Sequence, residues 1–361
     1  MSRVTTRPRT KVLVVEDSRV ARDYLVHVLG EDPRIEVLDA VATGEAAVEY
    51  VGLRKPDVIL MDLHLPGIDG FEATRRIMSS TPVPIVVCTA GTTFHEVQTA
   101  MEALSAGALA ALRKPVGPAH PNAAAEAAAL VSMLRLMAQV RVVRRWNRPP
   151  AEPTPPAPAL PAPSILAPRG VAVVAIGAST GGPPALAAIL SRLPADFGAP
   201  VLVVQHITEG FTEGFGTWLA QETGRVVHVA RGGEAPLPGH VYVAGDGGHL
   251  RVGMTGRLEV STAGPSTVHR PSVGVLFASV AACYGRRSIG VLLTGMGRDG
   301  AAELKVLAQA GAMTVAQDEA SSVVFGMPGE AVRLGAAQAV LPPAAIGDLL
   351  GRIVGSRGAG R

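Results

Sequence analysis

Val171-Ala-Val-Val-Ala-Ile176 runs directly into Gly177-Ala-Ser179-Thr-Gly181-Gly-Pro-Pro184. Six apolar residues rich in Val and Ile predict a buried strand. The glycine-rich turn behind it predicts a sharp reversal, and the paired prolines suit the first turn of a helix, where a missing N–H costs nothing. A serine on such a turn leaves its hydroxyl at the carboxyl end of a strand, where ligands of α/β sheets gather. Small neighbours let a substrate carbonyl approach, and the free N–H groups of the helix start can hold an oxyanion. Gly177-Ala-Ser179-Thr-Gly181 also fits the G-x-S-x-G pattern of nucleophilic serines. Taken alone, the pentapeptide is better explained as a phosphate-binding loop or a plain tight turn, so its partners must decide.

The alternation of strand and helix continues downstream. Residues 183–193 predict a helix, 201–204 a strand ending in Gln205-His206, 211–222 a helix and 226–230 a strand. Residues 241–243, 250–252 and 258–260 alternate around glycines and predict a small antiparallel excursion. A helix is expected over 273–284, and a strand over 288–293 that enters Thr294-Gly-Met296-Gly-Arg-Asp299-Gly300. Helix 301–310, strand 312–316 and a final helix at 344–354 complete a doubly wound α/β domain, assigned to 170–357.

Ser179, His206 and Asp299 each follow a different apolar strand of this one sheet. Serine is a poor nucleophile at neutral pH without a base to take its proton. A histidine can be that base, and a buried aspartate can fix its tautomer and stabilise the imidazolium. Singly, His206 fits an ordinary sheet-edge histidine equally well, and Asp299 also fits a helix N-cap. The order Ser, His, Asp differs from that of α/β-hydrolases. His228, His240, His249 and His269 lack the strand-end position and rank below His206.

The first part of the chain follows the same grammar. Strands are expected at 11–15, 35–41, 57–61, 84–88 and 108–112, and helices from a Ser18 cap to Gly30 and over 45–51, 70–79 and 93–106. This is a (βα)5 pattern with a parallel sheet covered on both faces. Glu16, Asp17, Asp62, Thr89 and Lys114 all follow strand ends, so they should converge on one edge. Three carboxylates repel one another unless a hard cation sits among them, and Mg²⁺ suits oxygen ligands. The lysine and hydroxyl suit an added phosphoryl group. One acidic strand end means nothing, but five matching positions in order argue against scattered loop charges. A long helix is expected over 121–147, its basic end suiting the helix dipole. Nine of the twenty residues from 149 to 168 are proline, so the stretch reads as an extended linker, assigned to 148–169, between a domain at 11–147 and the second one.

Composition agrees with two folded domains. The chain has 361 residues, 48% hydrophobic and 17% charged. Only 4% are aromatic and the net charge is +3, which speaks against a nucleic-acid partner. Cys88 and Cys283 sit in apolar runs, as buried thiols of a reducing compartment do. Residues 1–10 are basic but lack the apolar core of a secretory signal, and no stretch is long and apolar enough to span a membrane. A cytoplasmic protein without membrane insertion is expected.

Two resemblances follow from these residues. Residues 11 to about 115 resemble a response-regulator receiver domain: Glu16-Asp17 match its acidic pair, Asp62 its phosphoacceptor, Thr89 its hydroxyl residue and Lys114 its lysine. Ala111 stands where the family usually carries an aromatic. Such domains bind Mg²⁺ and take a phosphoryl group from a histidine kinase. In the second half, Ile176-Gly-Ala-Ser179-Thr-Gly-Gly182-Pro, Val204-Gln-His206-Ile, Leu293-Thr-Gly-Met296-Gly-Arg-Asp299-Gly and Val324-Phe-Gly-Met-Pro328 together resemble the catalytic domain of chemotaxis protein-glutamate methylesterases, the CheB family. His269-Arg-Pro-Ser272 is similar to a further family segment, and Gly274 stands where an acidic residue is common. The resemblance implies hydrolysis of γ-glutamyl methyl esters, with deamidation of glutamines in some members, on methyl-accepting chemoreceptors. It implies Ser179 as nucleophile, His206 as base and acid, Asp299 as its orienting acid, and backbone N–H groups near Thr180 and Met296 as the oxyanion hole. It further implies a monomer needing no cofactor for the ester chemistry, whose receiver blocks the esterase until Asp62 is phosphorylated. Two competing classes are a phosphorylation-dependent binding module with an inactive hydrolase domain and a DNA-binding response regulator. The intact Ser, His and Asp oppose the first, and the strand–helix alternation opposes the second.

Overall fold

The computed structural model describes residues 9–91, 93–140, 142, 170–262 and 269–355. The linker expected at 148–169, the basic residues Arg141, Arg144 and Arg145, and most of the N-terminal extension lie outside the described residues. The chain divides into two compact units, Met1–Thr154 and Pro155–Arg361.

In the first unit the order is β1 (Thr10–Val15), α1 (Arg19–Gly30), β2 (Ile35–Val41), α2 (Gly44–Leu53), β3 (Val58–Asp62), α3 (Gly70–Ser80), β4 (Ile85–Thr89), α4 (Phe94–Ala106), β5 (Ala110–Arg113) and α5 (Ala123–Met137). The sheet order is β2-β1-β3-β4-β5 and every pair is parallel. β3 and β4 are buried along their whole length, as strands covered on both faces must be. Ser18, Thr43, Asp69 and Thr93 cap the helices after β1 to β4, each accepting a backbone N–H two or three residues into its helix. Capping starts each helix just past a strand end and leaves the loop residues between free to form a site. The helix expected over 121–147 is shorter: α5 ends at Met137, the last of its buried residues Leu130, Val131, Leu134 and Met137.

In the second unit the order is β6 (Val173–Ala178), α6 (Gly182–Leu190), β7 (Val201–Gln205), α7 (Thr212–Thr223), β8 (Val227–Ala230), β9 (Val241–Ala244), β10 (His249–Val252) and β11 (Leu258–Ser261). It continues with α8 (Val273–Tyr284), a short 3₁₀ turn, β12 (Ser288–Leu292), α9 (Ala301–Gln309), β13 (Met313–Gln317), α10 (Met327–Arg333), β14 (Ala339–Leu341) and α11 (Pro343–Val354). Seven strands form one parallel sheet, β14-β13-β12-β6-β7-β9-β8. Val173 and Ala175 face a core with Leu276, Phe277 and Leu304, while the alternate residues Val174 and Ile176 are also fully buried, so both faces of β6 are covered. Each such large apolar side chain contributes roughly 1.5–3 kcal/mol on burial.

The antiparallel excursion is smaller than the sequence suggests. Among the described residues only β10 and β11 pair antiparallel; β9 lies in the main sheet, parallel to both β7 and β8. Val241–Ala244 is buried at all four positions, and a strand buried on both faces belongs inside a parallel sheet. α10 and β14 are elements that the sequence reading left unassigned. The chain enters this sheet at its centre on β6, winds outward through β7, and returns on the other side through β12. The crevice at such a reversal, at the carboxyl ends of the strands, is where α/β sheets place their ligands. Among the described residues, no helix is long and apolar enough to cross a membrane.

Candidate functional site

Ser179, His206 and Asp299 follow β6, β7 and β12, three neighbouring strands at that reversal. The pairing runs up to Ala178↔Gln205 and Gly177↔Leu292, so the residues beyond emerge side by side. Ser179 N–H donates to Thr294 O at 3.0 Å and His206 N–H to Ala178 O at 2.9 Å. Gln205, buried beside them, donates from Nε2 to Ser179 O and to His206 O, both at 2.8 Å, and so ties the two turns together. A Cβ added at Gly295 would lie 2.6 Å from Ser179 Cβ. The segment through Gly295 and Met296 therefore passes against the serine, and only glycine leaves room for it.

His206 Nε2 lies 3.0 Å from Asp299 Oδ2. Asp299 also accepts from Ser272 Oγ (2.9 Å), Val273 N (2.7 Å) and Gly274 N (3.1 Å). The sequence left open that Asp299 merely caps the helix after it. That N-cap is Gly300, and Asp299 binds the first turn of α8 instead. Burial pushes the Asp299 carboxyl up, but the hydrogen bond and charge of His206 and the Val273 and Gly274 N–H groups outweigh it and bring it to about 2. Asp299 is thus a fixed carboxylate at neutral pH. With Nε2 engaged, His206 has Nδ1 as its remaining nitrogen, buried and without a hydrogen-bond partner. At Gly274, where an acidic residue is common in the family resembled, an added Cβ would come within 2.7 Å of Glu303 Oε2 and 3.2 Å of Asp299 Oδ1, so a side chain there requires the Glu303 carboxylate to move aside.

Two histidines that the sequence ranks below His206 lie against the same group. The His269 ring stacks on His206 with centroids 4.4 Å apart and planes 19° from parallel. Burial and the charge of His206 push the His269 imidazole below its ordinary value, against the pull of Asp299. His249 is fully buried and accepts the Ser272 N–H at Nδ1, 3.2 Å away. The only signal for either was the segment from His269 to Ser272; neither stands at a strand end of the main sheet. Of the oxyanion candidates, Thr180 accepts Thr294 Oγ1 at its carbonyl (2.9 Å), and Met296 is 47% exposed.

In the first unit, Glu16, Asp17 and Asp62 bring carboxylate oxygens within 4.8 Å of one another. Lys114 Nζ lies 2.7 Å from Glu16 Oε2 and 2.9 Å from Asp62 Oδ2. Glu16 is 1% exposed and Asp62 3%. Burial raises the Glu16 carboxyl, with Asp62 adding to the rise and Lys114 opposing it. Burial alone would lower Lys114, but its hydrogen bonds to Glu16 and Asp62 hold it above its ordinary value. Thr89, fully buried, ends the neighbouring β4, and its carbonyl accepts the Lys114 N–H at 2.8 Å. Glu16, Asp17, Asp62 and Lys114 meet through their side chains, while the Thr89 hydroxyl donates to Gly91 O at 3.2 Å. Three hard oxygen donors facing a single lysine fit a small divalent cation.

Both units of the chain match known protein families. The family described as CheB methylesterase matches residues 174–350, and that described as response regulator receiver domain matches residues 12–126. A protein-glutamate methylesterase/protein-glutamine glutaminase of Nitrosospira multiformis is 47% identical over 347 residues, covering 96% of this chain and 98% of that protein. One of Geobacter metallireducens is 47% identical over 334 residues, covering 92% and 95%. The crystal structure of the Thermotoga maritima CheB methylesterase catalytic domain is 35% identical, covering 51% of this chain and 98% of that one, with a TM-score of 0.49. With a receiver domain ahead of an esterase domain and near-full-length relatives of one name, this chain belongs to the CheB family of protein-glutamate methylesterases/protein-glutamine glutaminases.

Proposed function

We propose that this chain hydrolyses γ-glutamyl methyl esters on methyl-accepting chemoreceptors, with Ser179 as nucleophile and with its rate set by phosphorylation of Asp62. The observation that carries the chemistry is the 3.0 Å contact of His206 with Asp299, beside the Ser179 turn at the carboxyl ends of three adjacent strands. Ser179 Oγ attacks the ester carbonyl carbon while His206 Nδ1, the nitrogen not held by Asp299, takes the hydroxyl proton. The tetrahedral oxyanion sits at the Ser179 turn, facing backbone N–H groups at Thr180 and Met296. Losing one such donor costs about 10²–10³ in rate. His206 returns its proton to the departing oxygen and methanol leaves. Water, deprotonated by the same nitrogen, then attacks the acyl-serine and frees the glutamate carboxylate. Amide hydrolysis at a glutamine differs only in that ammonia leaves, so the glutaminase activity in the relatives' name needs no further group.

In the receiver unit, Asp62 takes a phosphoryl group on a carboxylate oxygen from a histidine kinase. Glu16, Asp17 and Asp62 would hold Mg²⁺, which when bound offsets the charge of the phosphoryl oxygens. Lys114 moves from the Asp62 carboxylate to the added group, and Thr89 Oγ1 offers it a hydrogen bond.

The test is methanol release from methylated receptor fragments by the full chain and by Ser179→Ala. The variant should keep its fold and lose the activity. A folded variant that releases methanol near the normal rate would remove Ser179 from the reaction.

A further inference from the structure

A buried histidine outside the Ser179–His206–Asp299 group is placed to control it. His249 opens β10 with no exposed surface. Its Nδ1 accepts the Ser272 N–H at 3.2 Å. A nitrogen that accepts carries no proton, so the neutral ring holds its proton on Nε2. That Nε2 is buried and finds no hydrogen-bond partner among the described residues. An unpaired buried N–H is a cost that leucine at the same place would not carry. What the histidine offers in return is the acceptor at Nδ1.

That acceptor sits at a sensitive point. Ser272 is the N-cap of α8, 1% exposed, and it donates from Oγ to Asp299 Oδ1. The next two amides, Val273 and Gly274, donate to the same carboxylate. β10 runs along α8 and grips it twice: His249 holds the Ser272 amide, and Val252 N–H donates to Ser279 Oγ at 3.0 Å. Without the first grip, the Ser272 amide is a buried orphan and the turn carrying three donors to Asp299 is free to shift. Burial and the charge of Arg270 hold the His249 ring below its ordinary value, against Asp299, which keeps Nδ1 an acceptor.

We infer that His249 is a positioning residue for the esterase reaction: through the Ser272 amide it sets the first turn of α8 against Asp299, and so the orientation of His206. This rests on the reading of Asp299 as the acid that orients His206.

The test uses the full chain with a phosphodonor present, read as single-turnover rate and KM on methylated receptor fragments. His249→Leu removes the acceptor and should cost roughly 10- to 100-fold in rate with KM unchanged, the size expected for misplaced catalytic groups. His249→Asn puts an amide oxygen at the Nδ1 position and should stay within about 3-fold of the parent, since the Ser272 hydrogen bond is kept. In an Asp299→Asn background, His249→Leu should add no further loss, because both act through one carboxylate. Should His249→Leu not fold, His249→Gln, whose polar end reaches the Nε2 position instead, is expected to show the same loss. A severe Asp299→Asn with a harmless His249→Leu overturns the inference and leaves the active-site reading standing. An equal loss in His249→Asn, or a His249→Leu loss that persists on top of Asp299→Asn, also overturns it. A harmless Asp299→Asn sinks both.

Discussion

His206 and Val273 meet on one oxygen: Asp299 Oδ2 lies 3.0 Å from the imidazole Nε2 and 2.7 Å from the Val273 amide nitrogen. The other oxygen is occupied by Ser272 Oγ and the Gly274 N–H. Both carboxylate oxygens are therefore filled with donors. An amide has only one oxygen, so Asp299→Asn must turn an NH₂ toward donors on one side. If it takes the Oδ2 place, His206 loses its tautomer lock and the Val273 amide its acceptor; if it takes the Oδ1 place, Ser272 Oγ and the Gly274 amide lose theirs. We expect a fall in rate of about 10⁴ and a stability loss of about 1–3 kcal/mol. Methanol release and denaturant unfolding of the variant check both.

The same carboxylate gives a pH dependence with a definite sign. Its value drops from 3.8 to about 2 on folding. A depressed acid stabilises the fold above its unfolded value, and that contribution is lost as pH falls from 3.8 through about 2. The stability gap between the parent chain and Asp299→Asn should thus be full at neutral pH and should close across this window. A gap that stays constant down to pH 2 would mean that Asp299 is not the group titrating. Thermal unfolding of the pair at stepped pH makes the measurement.

Gly295 offers a steric test of the proposed oxyanion wall. An added methyl would sit 2.6 Å from Ser179 Cβ and 2.5 Å from Met327 Sδ. Overpacking of this kind costs about 1–3 kcal/mol, which a domain this size survives. We expect Gly295→Ala to fold with a lowered unfolding midpoint and to lose most of its esterase rate. A near-normal rate would mean that the Met296 segment does not form a wall of the site.

Strand ends carried most of what the sequence could say. Ser179, His206, Asp299, Asp62, Thr89 and Lys114 all follow apolar runs, and parallel strands deliver their ends to one edge. What stayed illegible has a common cause: it depends on contacts made far along the chain. Val241–Ala244 looks like part of a hairpin until its burial on both faces places it between β7 and β8. His249 and His269 reach the site from a ribbon strand and a loop, where no hydrophobic period announces them. Gln205 was adjacent to a residue already singled out, yet its part in tying two turns together shows only once β6 and β7 are paired.

Regulation can be tested from the receiver side. Lys114 bridges two buried carboxylates, Glu16 at 2.7 Å and Asp62 at 2.9 Å, and Asp17 brings a third to within 4.8 Å. One cation facing three acidic groups leaves excess negative charge, and burial already raises the Glu16 carboxyl. A divalent cation relieves that excess, so phosphorylation of Asp62 by a small phosphodonor should require Mg²⁺ and fail in a chelator. Phosphodonor with Mg²⁺ should raise the esterase rate of the full chain, and Asp62→Asn should abolish the response. Lys114→Ala should also blunt it, since the lysine that pairs with Asp62 is the group that can follow the new charge. Ala111 stands where receivers usually carry an aromatic, so under the proposed regulation the signal passes through Thr89, buried at the end of β4 beside the Lys114 turn, and the adjoining loops. Thr89→Ala is therefore expected to keep phosphorylation, measured with a radiolabelled donor, while losing the gain in methanol release. If the esterase rate is the same with and without phosphodonor, and a segment from residue 170 onward is no faster than the full chain, then the receiver does not inhibit the esterase. Its role would then be to bring the enzyme to its substrate, and the esterase would run at one rate throughout.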